Sequence, residues 1–429
     1  MAAIETNDKQ KKVGTRGVRA FFAELGPGLI TGAADDDPSG ISTYSVTGAT
    51  FGYAQLWVIV FSFPLMASVQ LMCARLGMVS GTGLAGVIRS RYSRWVLWGS
   101  CALLAFANTV NIGADLGGMA AVTEMMTGVR ALLWVPVFAL SIVAMLIWSS
   151  YRRIARILKW LTLVLFAYVI SAFLARPHWI EVLHATFVPR IEWSAQYLAT
   201  FVGVLGTTIS PYLFFWQASQ EVEEERSKGR RTVRSRKGAT DKELRVARRD
   251  VLTGMALSGL VMYFIILTTG ATLHVSGQRD IESARQAAEA LRPVAGDAAY
   301  LLFALGLIGT GLLGVPVLAG SAAYAVAEAM HWRGSLDDKP NLAPRFYGVL
   351  AAAVALGLVL CYLNINPVRM LFYAAVVNGV LAPPLVLLVT LLTSDTKIMG
   401  ARTNPPILRW LGLFTAAVMA GASAAMFLV

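Results

Sequence analysis

The sequence predicts an all-α polytopic membrane protein with about eleven membrane-spanning helices. Of its 429 residues, 56% are hydrophobic and 14% are charged, whereas soluble domains usually carry about 25% charged residues. The mean hydropathy is +0.60, and the apolar stretches recur at the roughly 20-residue length that a helix needs to cross a bilayer. Together these observations predict a chain that is folded within a membrane.

The predicted spans follow one another along the whole chain. Residues 1–20 are polar and basic without a signal-peptide core, so we expect a cytoplasmic tail and a first span that is retained. The spans are expected at residues 21–48, 54–79, 95–127, 131–149, 155–174, 195–220, 250–273, 298–330, 343–363, 370–393 and 406–427. An odd number of crossings places the two termini on opposite sides of the membrane.

Lysine and arginine are distributed unevenly between the predicted loops. With a cytoplasmic N-terminus, 29 of them lie on the cytoplasmic side, seven lie on the other side, and Arg75 lies within the second span. Loops rich in these residues stay cytoplasmic, so we expect a multi-pass protein of the cell (inner) membrane with an extracytoplasmic C-terminus. The basic residues are confined to short segments between spans, which makes the lipid bilayer their partner and excludes nucleic acid. We expect residues 221–249 to form a solvated, charged cytoplasmic loop.

The first span contains an acidic interruption. Asp35, Asp36 and Asp37 precede Pro38, and Ser39 and Gly40 follow. A carboxylate at membrane depth costs at least about 2.5 kcal/mol and therefore indicates a functional site. Proline removes a backbone donor, so we expect the helix to break here. Three consecutive aspartates cannot all face one ion, and we expect Asp37 to be the main ligand, with Asp36 and Asp35 as weaker candidates.

The sixth span contains a matching interruption. Thr207, Thr208 and Ser210 precede Pro211. The first and sixth spans each begin a group of five, residues 21–174 and 195–393, whose opposite parity predicts two inverted repeats with the span 406–427 appended. Paired breaks at corresponding positions indicate a transporter site at the bilayer midplane. The threonine hydroxyls either bond to their own helix or, with the freed carbonyls, coordinate the ion.

These motifs resemble those of the NRAMP divalent-metal transporters. The similarity runs from Gly26-Pro27-Gly28 through Asp37-Pro38-Ser39-Gly40 and Phe51 to Trp57, and continues at Arg75-Leu76-Gly77, Thr82-Gly83-Leu84 and residues 311–328. It implies a LeuT-type fold of two inverted five-helix repeats plus one extra helix. It also implies a metal ion held between the broken first and sixth helices.

Two departures from the family pattern bear on ion selectivity. Gly40 stands where the family has asparagine, and Ser210-Pro211-Tyr212 stands where it usually has Met-Pro-His. A thioether favours transition metals, so its replacement by a hydroxyl removes that preference. The remaining oxygen ligands, with room for water, favour Mg²⁺ first and Mn²⁺ second. The sequence therefore resembles the NRAMP-related magnesium-transporter branch.

Proton coupling is expected to be weak or absent. The family's proton-carrying positions fall on Asn111, Ala114 and Tyr212, and none of these titrates near neutral pH. Asn108, Asn111 and Asp115 nevertheless form a polar stripe on one face of the third span. Asp115 is open to three interpretations: a displaced proton acceptor, a residue that orients the ligands, or a buried acid bonded to a neighbouring helix.

Asn378 in the tenth span is a further polar group at membrane depth. It either forms a structural hydrogen bond between helices or serves the ion as an oxygen ligand or by holding a water molecule.

The leading hypothesis is a transporter of hard divalent ions, with Mg²⁺ or Mn²⁺ as substrate and no cofactor. A proton-coupled Mn²⁺/Fe²⁺ carrier and an organic-substrate carrier on the same fold are the alternatives. No HExxH motif occurs and no predicted span contains histidine, so we do not expect an enzyme. The sequence specifies no oligomeric state.

Overall fold

The computed structural model describes residues 26–148, 162–363 and 365–429. The predicted tail 1–20, the start of the first span and the start of the fifth span lie outside these residues. Every regular element within the described ranges is helical. Nine of the described helices are long and apolar enough to cross a membrane.

The helices follow the predicted order of eleven spans. The first span is divided into Pro27–Asp35 and Pro38–Phe51, and the described part of the fifth span comprises Thr162–Phe166 and Ala167–Leu174. The sixth span is divided into Ala195–Thr208 and Pro211–Ser227. The remaining spans are Leu56–Ser80, Arg94–Thr127, Ala131–Trp148, Asp241–Thr269, Ala299–Ala329, Pro344–Leu360, Pro367–Ser394 and Pro406–Leu428.

Both predicted breaks are present, and proline begins the second half-helix at each of them. Pro38 and Pro211 occupy the first helical turn, where the missing N–H is not needed. The preceding residues, Asp37 and Ser210, have extended backbones, as expected because a following proline disfavours the helical conformation. Helical hydrogen bonds are interrupted at each break, which frees backbone carbonyls near the middle of the bundle.

The two broken spans pack against other spans through glycine. A Cβ on Gly32 would lie 2.3 Å from the carbonyl oxygen of Gly254 in the seventh span. A Cβ on Gly206 would lie 2.1 Å from the carbonyl oxygen of Ala375 and 2.3 Å from the amide nitrogen of Gly379 in the tenth span. Small residues allow such close backbone approach between membrane helices. The first half-helix is therefore fixed against the seventh span, and the first half of the sixth span against the tenth.

The acidic start of the charged segment 221–249 differs from the prediction of a solvated loop, whereas most of residues 228–249 are exposed. The sixth span continues as helix to Ser227, and the seventh begins at Asp241. Glu221, Glu223 and Glu225 are all buried. Glu223 pairs with Arg226 at 2.8 Å, and Glu225 pairs with Arg230. The prediction of a solvated acidic run was wrong because these acids find basic and polar partners and extend the helix.

Candidate functional site

Asp37 lies at the break of the first span and is buried. Its Oδ1 accepts hydrogen bonds from the Ser39 hydroxyl at 2.7 Å and from the Gly40 amide at 2.8 Å. Asp37 therefore caps the second half-helix, where unpaired amides and the helix dipole favour a negative charge. Oδ2 faces the sixth span. One carboxylate oxygen thus orients the side chain and the other is directed at the second break.

Tyr212 connects the two breaks. Its hydroxyl lies 3.0 Å from the carbonyl oxygen of Ala34 and 3.3 Å from Oδ2 of Asp37. The phenol is buried and follows Pro211 directly. A single hydroxyl therefore reaches both a freed carbonyl of the first half-helix and the predicted ligand.

The hydroxyls of the sixth break are largely bonded to their own helix. Ser210 donates toward the carbonyls of Gly206 and Thr207, both at 2.7 Å, and Thr208 donates to the carbonyl of Val204 at 2.9 Å. Thr207 also lies 2.6 Å from the Tyr44 hydroxyl. The oxygen lone pairs of Ser210 and Thr207 remain the groups with which this break can bind a cation.

Asp35 and Asp36 are directed toward the seventh span. The hydroxyl of Ser258 lies 2.8 Å from Oδ2 of Asp35 and 3.2 Å from Oδ1 of Asp36. Both carboxylates are buried, and Oδ1 of Asp35 has no partner among the described residues. The structure thus separates the three aspartates, as their consecutive positions require. Asp36 is placed with Asp35 at Ser258, while Asp37 alone caps the second half-helix.

Asp115 approaches Asp37 from the third span. A Cβ on Gly314 of the eighth span would lie 3.1 Å from Cβ of Asp37 and 3.8 Å from Oδ2 of Asp115. The carboxyl of Asp115 is fully buried. Both acids therefore lie next to Gly314, which has no side chain. The backbone of Ser39 in the first span also interacts with the Asp115 carboxyl, so a bond to a neighbouring helix stays one of the three interpretations.

The three asparagines of the prediction have different environments. Asn108 donates to the carbonyl of Leu318 at 2.7 Å and to the hydroxyl of Ser321 at 2.8 Å, which joins the third and eighth spans. Asn111 and Asn378 are buried, and neither amide has a partner within the described residues. The structural hydrogen bond predicted as one role of Asn378 is absent there. Asn378 directly precedes Gly379, which contacts the sixth span.

Sequence reasoning missed how the first half-helix is held. The carboxylate of Asp250 accepts hydrogen bonds from the amides of Gly26, Gly28 and Leu29 at 2.7 to 3.1 Å. Asp250, Gly254 and Ser258 recur every four residues, so they share one face of the seventh span. Asp250 accepts hydrogen bonds from the start of the first half-helix. Gly254 packs against its middle, and the Ser258 hydroxyl contacts the acids at its end. That four-residue spacing was the signal available in the sequence.

The site provides oxygen ligands in a buried setting. Among the residues that the structure describes, no three histidine, cysteine, aspartate or glutamate side chains converge as a metal site. The candidate ligands are instead one carboxylate, several hydroxyls and the carbonyls freed at the breaks. Such a set suits a hard cation that keeps part of its water shell.

Comparisons with known proteins give consistent results. A family model described as natural resistance-associated macrophage protein-like (Nramp) matches residues 28–429. A relative from Aeromonas hydrophila subsp. hydrophila, named divalent metal cation transporter MntH, is 28% identical over 422 residues, which cover 93% of this chain and 94% of the relative.

Two solved structures share the fold. A manganese transporter from Eremococcus coleocola matches with a TM-score of 0.74 and 20% identity over 94% of this chain and 86% of that chain. Mhp1, a nucleobase-cation-symport-1 family transporter, matches with a TM-score of 0.59 and 15% identity over 94% and 92%. At these identities the likeness concerns the fold alone. It confirms the predicted all-α, LeuT-type architecture.

Proposed function

The chain belongs to the Nramp family of membrane transporters, and from that premise we propose that it carries divalent metal ions by alternating access around Asp37. It is a multi-pass membrane protein and not an enzyme. The name of the Aeromonas relative supports a divalent metal as the substrate. The facing breaks of the first and sixth spans supply the midplane site that such a mechanism requires.

We further propose Mg²⁺ as the preferred ion and Mn²⁺ as the second. The observation that carries this proposal is the oxygen chemistry of the side chains at the two breaks: Asp37, Tyr212 and Ser210. Mg²⁺ binds one or two carboxylates and keeps several waters. The unpartnered amides of Asn111 and Asn378 are suited to bind such waters, because they offer both donors and acceptors.

Gly40 contributes less space than its small size suggests. A Cβ at this position would lie 3.2 Å from the ring of Tyr44 and 3.6 Å from Oδ1 of Asp37. The Tyr44 ring thus occupies part of the volume that the family's asparagine side chain would use. The absence of a side chain at Gly40 is therefore partly offset by this aromatic ring.

A proton-coupled Mn²⁺ or Fe²⁺ carrier is the second candidate. The buried carboxyl of Asp115, which like Asp37 lies next to Gly314, is the observation that favours it, because a proton acceptor there would sense the charge of the ion. The Eremococcus structure is that of a manganese transporter, which also favours Mn²⁺. An organic-substrate carrier on the same fold is disfavoured, since three aspartates at the first break would repel the carboxylate of a substrate such as an amino acid.

Ion uptake into liposomes tests the proposal. Purified protein is reconstituted, Mg²⁺ or Mn²⁺ is added outside, and internal metal and internal pH are followed together. We expect uptake of both ions without stoichiometric acidification, and loss of uptake in Asp37→Ala. Asp297→Asn is the matched control, because that side chain is fully exposed.

Each outcome separates the candidates. Absence of flux for both ions, or equal flux in Asp37→Ala, would overturn the site. Acidification in proportion to metal entry would replace the uncoupled mechanism with the coupled one. Calorimetric titration with Mg²⁺, Mn²⁺ and Cd²⁺ adds a selectivity test, because tight Cd²⁺ binding contradicts a site without a thioether.

A further inference from the structure

A groove of about 360 Å³ lies between the second, seventh and eleventh spans. Most of its lining is apolar, with Phe63, Leu71, Leu252 and Leu411 among the side chains. Exposed residues, including Pro64 and Ile407, form its rim. It is separate from the breaks of the first and sixth spans and shares no residue with the proposed ion site.

Two arginines, Arg75 and Arg248, line this otherwise apolar groove. Arg75 is half-buried, and its Nη2 donates to the carbonyls of Arg402 at 2.8 Å and Thr403 at 3.2 Å. Its Nε is buried and has no acceptor in the described part of the chain. Neither Arg75 nor Arg248 takes part in an ion pair there, and the nearby Arg402 is paired with Asp241.

A guanidinium without a counter-charge is unfavourable at the edge of a membrane, because moving a charge out of water is costly unless it is paired. The carbonyls of Arg402 and Thr403 accept hydrogen bonds from Arg75 but do not neutralise its charge. A phosphate group accepts hydrogen bonds in the plane of the guanidinium and also neutralises the charge, because it is anionic.

We infer that this groove binds one anionic phospholipid, with an acyl chain along the apolar lining and the phosphate between Arg75 and Arg248. The arginines lie at the end of the spans that the charge distribution predicts to be cytoplasmic, and anionic lipids enrich that leaflet. Basic pockets between membrane helices bind such headgroups.

Two other occupants fit the charge less well. A zwitterionic lipid would leave the arginines without a net counter-charge. The chain's own residues 1–25 contain five lysines and arginines against three acidic residues, so their net charge has the same sign as the groove. Charge complementarity therefore selects an anionic lipid.

Native mass spectrometry of the full-length protein in detergent tests this inference, with phosphatidylglycerol and phosphatidylcholine of identical acyl chains as probes. We expect phosphatidylglycerol to bind at least about tenfold more tightly. Each basic residue near an anionic headgroup contributes to the binding free energy. We therefore expect Arg75→Gln or Arg248→Gln to weaken the binding of phosphatidylglycerol about fivefold. Arg75→Lys should retain most of the preference, which separates loss of charge from loss of folding.

Two controls complete the experiment. Arg249→Gln removes an exposed arginine from the neighbouring position, outside the groove lining, and should leave the preference unchanged. Ala67→Phe fills the groove and should weaken both lipids alike. Equal affinity for the two lipids in the unmodified protein would overturn the inference. So would an equal loss in Arg249→Gln, which would indicate a diffuse surface charge effect.

Discussion

The breaks of the first and sixth spans have the same backbone plan and opposite side-chain chemistry. At the first break, Asp37 bonds forward to Ser39 and Gly40 and so caps the half-helix that follows. At the sixth break, Ser210 bonds backward to the carbonyls of Gly206 and Thr207 in the half-helix that precedes. One break therefore contributes a negative charge, and the other contributes neutral oxygens.

The supports of the two breaks also differ. The first half-helix is held through polar contacts at both ends, Asp250 and Ser258, with glycine packing between them. The first half of the sixth span is held by backbone proximity at Gly206 and Gly379. The comparison indicates that charge is concentrated on the first broken helix, whereas close glycine packing is common to both. Substitution of the charged group should accordingly change ion binding, and substitution of a packed glycine should change stability.

The largest expected effect comes from Asp37→Asn. Asparagine caps a helix as well as aspartate does, so the melting temperature should stay close to that of the unmodified protein. Loss of one unit charge near a cation costs about 4 kcal/mol in a protein environment, which corresponds to about 1,000-fold in affinity. Calorimetry and liposome flux measure the binding loss, and thermal unfolding measures the cap.

Asp37→Ala is the matched comparison for that experiment. It removes both the charge and the cap, so it should lose ion binding to the same extent and about 1 kcal/mol of stability in addition. Retained ion binding in Asp37→Asn would show that Asp37 serves only as a helix cap.

Gly206→Ala should have the second-largest effect and act on stability. The added methyl group would overlap the backbone of Ala375 and Gly379, and overpacking of this kind costs about 1–3 kcal/mol. Thermal unfolding in detergent measures the loss. Gly421→Ala is the control, because a Cβ there would meet no atom within 4 Å. Equal melting temperatures for the two variants would mean that the sixth and tenth spans are not closely packed in solution.

Ser210→Met tests whether the neutral oxygens of the sixth break set the selectivity. A thioether at this position favours soft ions, so the ratio of Cd²⁺ to Mg²⁺ affinity should rise at least about tenfold. Competition calorimetry measures that ratio. Ser210→Ala removes the hydroxyl without adding sulfur and should not raise Cd²⁺ binding. An unchanged ratio in Ser210→Met would show that position 210 does not face the ion.

Most of the fold could be predicted from the sequence because membrane spans have a strong signal. Apolar length predicted the order of the helices that the structure describes, and Pro38 and Pro211 located both breaks to the residue. The acidic start of the segment 221–249 was mispredicted for the same reason: hydropathy treats Glu221, Glu223 and Glu225 as solvent-exposed. Glu223 and Glu225 form ion pairs with Arg226 and Arg230, and Glu221 accepts a hydrogen bond from Gln217; hydropathy considers none of these partners.

The sequence identified candidate residues of the site, but it did not show which neighbouring groups their side chains contact. The restriction that consecutive aspartates cannot face one point anticipated the separation of Asp37 from Asp35 and Asp36. It did not identify Ser258 as the hydroxyl group that contacts the carboxylates of Asp35 and Asp36. That contact, like the cap from Asp250, joins residues more than 200 positions apart. A single sequence shows no such pairing unless a spacing pattern on one helix face is examined.

Tyr212→Phe should produce the smallest effect and test the link between the two breaks. It removes one hydroxyl that contacts Ala34 and Asp37, and a net hydrogen bond contributes about 1 kcal/mol. We expect ion affinity to change by about fivefold, with flux retained and no change in its pH dependence, because an uncoupled carrier does not need a proton at this position. Asp115→Asn, assayed in parallel, removes a second titratable group beside Asp37 that belongs to another span. If either substitution abolished a pH dependence of transport, the uncoupled mechanism would give way to one in which that residue carries the proton.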